Sequence, residues 1–129
     1  MKSASKIILT NKENKVLLQL RSPNHSNTGS WSLFGGHIDG SETAEEALVR
    51  EIKEEINFDL KQYSLIKETI VEDFGKVFWF HGVIDVPLSN LKLAEGDDFD
   101  FFSYKELLKL KISHESKKRL IEYYEGKNK

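Results

Sequence analysis

The chain has 129 residues, of which 39% are hydrophobic and 31% charged, and a formal net charge of −2. That length suits one domain, residues 1–129, with a moderate core, and the composition is ordinary for a globular protein. The near balance of charge gives no general pull towards a nucleic-acid polymer or an anionic membrane. The absence of cysteine excludes disulfides, thiol catalysis and Cys-ligated zinc. The apolar run Ile7 to Leu9 is too short for the core of a signal peptide, and no later run is long enough to span a bilayer, so the expected location is the cytoplasm.

Two short apolar runs open the chain, Lys6 to Thr10 and Lys15 to Arg21. The polar Asn11-Lys12-Glu13-Asn14 between them reads as a hairpin turn. Arg21 closes the second strand just before a long loop, where a guanidinium can meet a phosphate; a solvated or ion-paired Arg fits equally well. Ser22 to Ser30 carries Pro, Asn and Gly and reads as loop. Trp31-Ser32-Leu33-Phe34 is a short strand that leads into Gly35-Gly36. Trp31 and Phe34 are candidates for stacking on a base, although large aromatics on a short strand are more often core. His25 and His37 flank this region and read as surface or hydrogen-bonding residues.

The stretch Gly36 to Phe58, GHIDGSETAEEALVREIKEEINF, organises the rest. Thr43 and Glu46 form a capping box, and Ala44, Leu48, Ile52 and Ile56 recur every four residues as an apolar stripe. Glu51, Glu54 and Glu55 then share one arc of the helix beside that stripe. Like charges held this close repel, so a hard divalent cation is the natural use for them. Asn57 can close the helix in the left-handed conformation. Gly35, Gly36 and Gly40 are expected to make a flexible loop whose backbone can approach a ligand.

Further on, Ser64 to Phe74 and Val77 to Val86 read as a hairpin with its turn at Gly75-Lys76. Gly82 is a candidate bulge, and Pro87 ends the second strand. Ala94 to Asp100 is an acidic loop, and Phe99 to Ser103 a last short strand. Tyr104 to Leu110 and His114 to Gly126 are helices, the latter with Lys117, Lys118 and Arg119 on its exposed face. Strands that pair mostly as hairpins, with helices packed on the sheet, indicate an α/β or α+β sandwich.

The pattern Gly36-x5-Glu42-x7-Arg50-Glu51-Ile52-x-Glu54-Glu55-x-Asn57-Phe58 resembles the signature of the Nudix hydrolases, with Asn57 where that family usually has Gly. The resemblance implies an α/β/α sandwich with a mixed central sheet and the signature folded as loop–helix–loop. It implies Mg²⁺, or alternatively Mn²⁺, held by Glu51, Glu54 and Glu55 with the backbone of Gly36. Arg21, Trp31, Phe34, Gly35 and Gly36 are then candidate substrate-binding residues. Glu51 and Glu54 are candidate catalytic residues with Glu95, in the acidic loop, as the distal acid; Asp98 is its alternative, and Glu51 itself is a candidate for orienting or deprotonating water. Arg50 and Glu42 would brace the loop against the helix, with Glu42 a further, weaker metal ligand.

The implied reaction is Mg²⁺-dependent hydrolysis of a diphosphate bond in a nucleoside diphosphate linked to another moiety, with nucleoside triphosphates and nucleotide sugars both open. Diphosphates and clustered glutamates repel, and only intervening cations reconcile them. The alternative is a non-catalytic nucleotide-binding regulatory module on the same fold. An isoprenoid diphosphate isomerase is disfavoured, because that family is longer and uses a catalytic cysteine. The implied partner is a nucleotide-type small molecule, and homodimers are common in the family.

Overall fold

A computed structural model describes residues 2–21, 29–94 and 98–126. The elements in order are β1 (Lys2–Thr10), β2 (Val16–Arg21), β3 (Ser30–Ser32), β4 (Phe34–His37), α1 (Ala44–Ile56), β5 (Tyr63–Val71), β6 (Gly75–Val83), a 3₁₀ turn (Leu88–Asn90), β7 (Asp98–Phe102), α2 (Tyr104–Leu107) and α3 (His114–Gly126). All seven strands join one mixed sheet. β1 runs parallel to β6 from Lys2↔Gly75 to Thr10↔Val83, and β5 pairs antiparallel on the far side of β6.

β1 and β2 share only the pair Thr10↔Val16, next to their turn, and then diverge. Residues 30–37 fill the gap they leave. β3 pairs with β2 through Gln19↔Ser32 to Arg21↔Ser30, while β4 pairs with β1 through Ala4↔His37 to Ile7↔Phe34. β7 takes the other side of β2. A sheet that splays in this way leaves a cleft at the open end of β1, β2 and β4.

The alternation of side chains across the pleat fills two cores. Ile7, Leu9, Leu17 and Phe34 face α1 and meet Leu48, Ile52 and Ile56. Ile8, Val16, Leu18 and Leu33 face the opposite way and meet Leu107 of α2 and Leu120 and Tyr124 of α3, together with Val77 and Trp79. Full burial of an Ile or Leu side chain contributes about 1.5–3 kcal/mol, so the stripe on α1 holds the helix on the sheet. The hydroxyl of Ser5 adds a hydrogen bond to the carbonyl of Ala44 at 2.7 Å, fixing the start of α1 over β1.

Several expectations are corrected. The Gly35-Gly36 pair lies inside β4, not in a flexible loop, because the divergence of β1 from β2 exposes an edge for it to pair with. β6 begins at Gly75, so the turn falls at residues 72–74, with Asp73 at φ 66°. The irregularity in the β5–β6 ladder lies between Leu65 and Lys67, not at Gly82. α2 ends at Leu107. Arg119 is buried: its guanidinium lies 5.6 Å from the centre of the Trp79 ring and donates to Glu122 at 3.2 Å, which removes it from the exposed basic face. Among the described residues no helix is long and apolar enough to cross a membrane.

Candidate active site

α1 carries the carboxylates, and both its ends are fixed by local chemistry. Thr43 Oγ1 accepts from the Glu46 N–H at 3.1 Å while Glu46 Oε1 accepts from the Thr43 N–H at 2.9 Å, which completes the capping box. At the other end Asn57 adopts φ 56° and ψ 41°, and its N–H donates to the Lys53 carbonyl at 3.0 Å.

Arg50 braces the entry loop to this helix. Its Nε and Nη2 donate to the two oxygens of Glu42 at 2.7 and 2.9 Å, a bidentate pair that lowers the pKa of Glu42 and raises that of Arg50. Nη2 also reaches the His37 carbonyl at 3.1 Å and the Asp39 carboxylate at 3.3 Å. Nη1 donates to Oε1 of Glu51 at 2.9 Å and Oε1 of Glu54 at 3.0 Å. One guanidinium thus holds the loop and offsets the repulsion between two of the clustered glutamates.

Glu55 faces inward. Its Oε1 accepts from the Gly35 N–H at 3.0 Å, and burial pushes its carboxyl up to about 7, with that hydrogen bond opposing the shift, Glu51 adding to it, and Lys6 and Arg21 opposing it. Gly35 sits at φ +143°, and a Cβ there would collide with the Ser5 carbonyl. A Cβ on Gly36 would collide with the Glu51 carboxylate, so only glycine lets the β4 backbone lie against that side chain.

These groups line a cleft of about 630 Å³ bounded by Ala4, Lys6, Arg21, Gly35, Gly36, His37, Glu51, Glu54, Glu55, Phe74 and Ala94. That volume accommodates a nucleotide-sized ligand. All four expected metal donors, Gly36, Glu51, Glu54 and Glu55, therefore reach one cavity, together with Arg21 and Gly35. Their donor set is all oxygen, which suits a hard divalent cation. Among the described residues, no three His, Asp or Glu side chains are gathered closely enough to hold an ion. Arg50 engages Oε1 of both Glu51 and Glu54 and leaves their Oε2 atoms without a bond to it. The residues present fit the group by their chemistry.

The aromatic expectations are corrected. Phe34 is fully buried in the core beneath α1 and offers no face to a ligand. Trp31 packs edge-on against Phe102 at 4.8 Å, exchanges backbone hydrogen bonds with Lys111 and Ser113, and does not line the cleft. Phe74 lines it instead, edge-on to His37 at 5.4 Å. Asp98 begins β7, exposed and outside the lining. Glu95 and His25 lie outside the described residues; Ala94, which precedes Glu95, is held by its N–H to the Glu55 carbonyl at 2.9 Å. Sequence reasoning missed Lys6, Ala4, Phe74 and Ala94. Their only signal is position: each enters the cleft through the splay of β1 or the packing of connections, neither of which is visible in a linear pattern.

The NUDIX domain family model matches residues 2–124. Over 121 residues the chain is 36% identical to an ADP-ribose pyrophosphatase of Methanocaldococcus jannaschii, covering 91% of this chain and 70% of that one. It is also 36% identical over 67 residues to an 8-oxo-dGTP diphosphatase of Proteus vulgaris, covering 52% of this chain and 59% of that protein. The fold matches a MutT protein from Methanosarcina mazei Go1 with a TM-score of 0.75 at 21% identity, over 99% of this chain and 95% of that one. With a mixed sheet between helices, a braced loop–helix at the cleft and a family match over nearly its whole length, the chain belongs to the Nudix hydrolase family.

Proposed function

We propose that this protein hydrolyses a phosphoanhydride bond in a nucleoside diphosphate linked to another moiety, of the nucleoside triphosphate or nucleotide-sugar type, with Mg²⁺ or Mn²⁺ as cofactor. The observation that carries this reading is the convergence of Glu51, Glu54, Glu55 and the Gly36 backbone on one cleft that also holds Arg21 and Lys6. Family membership and the pyrophosphatase and diphosphatase relatives support it.

Glu51, Glu54, Glu55 and the backbone of Gly36 would hold the cation. When bound, a divalent cation neutralises phosphate charge and lowers the pKa of an attacking water. Glu51 orients that water and takes its proton at Oε2, the oxygen that Arg50 leaves unengaged. Glu95, which follows Ala94 in the sequence, is the candidate distal acid. Gly35 positions Glu55, and Arg50 positions Glu51 and Glu54. Arg21 meets the phosphates from the strand side.

The test is a panel of nucleoside triphosphates, nucleotide sugars and dinucleotides in ¹⁸O-labelled water with Mg²⁺, with Mn²⁺ and with EDTA. Metal-dependent turnover with one label in a phosphate product is the expected result. No turnover on any compound, with nucleotide binding retained in calorimetry, would favour the regulatory module instead.

A further inference from the structure

Lys6 is a charged residue of the cleft to which the reaction above gives no role. It lies in β1, level with Gly35 on one side and Trp79 on the other, so its backbone is fixed by two strands. Its side chain lines the cleft beside Arg21. The charged groups facing it are Glu55 and Glu51 from α1 and Arg21 from β2. Among the described residues its ammonium forms no ion pair or hydrogen bond. Burial lowers its pKa, with Glu55 opposing that shift.

A partly buried ammonium costs free energy unless something of opposite charge satisfies it. Glu55, an acid facing it from α1, has given Oε1 to the Gly35 N–H. Arg21 is of the same sign. The cleft is therefore divided, with carboxylates on the helix side and two cations on the strand side. A diphosphate held through cations on the glutamates uses only the first half. The second half suits a further anion.

We propose that Lys6, with Arg21 beside it, binds an anionic group of the substrate beyond the metal-held diphosphate, a third phosphate, and so selects nucleoside triphosphates over nucleoside diphosphates capped by a neutral sugar. This rests on the proposed function for its substrate class, and on the cleft alone for its anion site. A phosphate between two cations gains charge-assisted hydrogen bonds, the strongest kind available on a protein surface. Neutral sugars offer no such partner and would leave the ammonium unsatisfied, which is how a polar site rejects the wrong ligand.

The experiment compares wild type with Lys6→Met, similar in length but neutral, and Lys6→Arg, which keeps the charge. Two readouts are taken: steady-state kinetics on a nucleoside triphosphate and on the nucleotide sugar of the same base, and calorimetric binding of inorganic tripolyphosphate in Mg²⁺. Lys6→Met is expected to raise KM for the triphosphate by about 10- to 100-fold, with kcat changed much less, as loss of one charged hydrogen bond implies. The ratio of kcat/KM for triphosphate over sugar falls with it, tripolyphosphate affinity drops by about tenfold or more, and Lys6→Arg recovers most of each. An unchanged ratio, or unchanged tripolyphosphate affinity, overturns the inference. If the wild type hydrolyses nothing in the panel, the proposed function fails, and the tripolyphosphate measurement still decides the role of Lys6.

Discussion

The N–H of Gly35 donates to Oε1 of Glu55 at 3.0 Å, a hydrogen bond between residues twenty apart in the chain. It ties β4 to α1 at the point where β1 and β2 have separated. The same strand places Gly36 against the Glu51 carboxylate. Glycine is needed at Gly35 because φ is +143° and a Cβ would meet the Ser5 carbonyl, and at Gly36 because a Cβ would meet the Glu51 carboxylate.

Gly35→Ala is expected to destabilise the fold by about 2–4 kcal/mol, since it combines a disallowed backbone angle with a backbone collision. φ is +143°, and the new Cβ would meet the Ser5 carbonyl, which belongs to the paired strand and cannot swing away. Urea denaturation measures it. A loss near zero would show that β4 can shift along β1 without cost.

Glu55 makes stability depend on pH in the metal-free protein. Its folded pKa of about 7 stands above the ordinary 4.5, so between those values the folded chain holds a proton that the unfolded chain has lost. Stability from this group is therefore full below pH 4.5, falls as pH rises towards 7, and is flat above. A shift of that size is worth on the order of 3 kcal/mol. Glu55→Gln, which keeps an acceptor for Gly35, should match wild type below pH 4.5 and exceed it above pH 7 when both are measured in chelator. Parallel curves across that range would contradict the assignment.

Asn57 carries the family's one departure in the signature, and the structure shows what that position demands. φ 56° and ψ 41° lie in the left-handed region, where Asn is tolerated and Gly preferred. Asn57→Gly should stabilise by about 0.5–1 kcal/mol and Asn57→Ala should destabilise by about 1 kcal/mol, both read from thermal unfolding. Hydrolytic activity at 25 °C should be unaffected by the Gly variant, because Asn57 does not line the cleft.

What could be read from the sequence was what local periodicity encodes. Leu48, Ile52 and Ile56 fell on one stripe, Thr43 and Glu46 capped it, and Glu51, Glu54 and Glu55 shared the neighbouring arc. Long-range pairing was not legible. The separation of β1 from β2 decides that the Gly pair becomes a strand, that Phe34 turns into the core, and that Lys6 enters the cleft. None of these leaves a decisive local pattern: a Lys at the head of an apolar run reads as a polar flank, and a Phe beside two glycines reads more often as core than as ligand contact. Arg119 is buried for a related reason. Its position on α3 suggested solvent, but the Trp79 ring from β6 covers it.

The role of the α1 carboxylates is tested by the rate of nucleotide hydrolysis in Mg²⁺ by the wild type and by Glu51→Gln, Glu54→Gln and Glu55→Gln, each first shown to fold by thermal unfolding. If these carboxylates hold the cation and handle the proton, each variant loses activity, and Glu51→Gln loses about 100-fold or more, the scale of a removed general base. If all three variants turn over at the wild-type rate, the chemistry does not take place at the carboxylate face of α1.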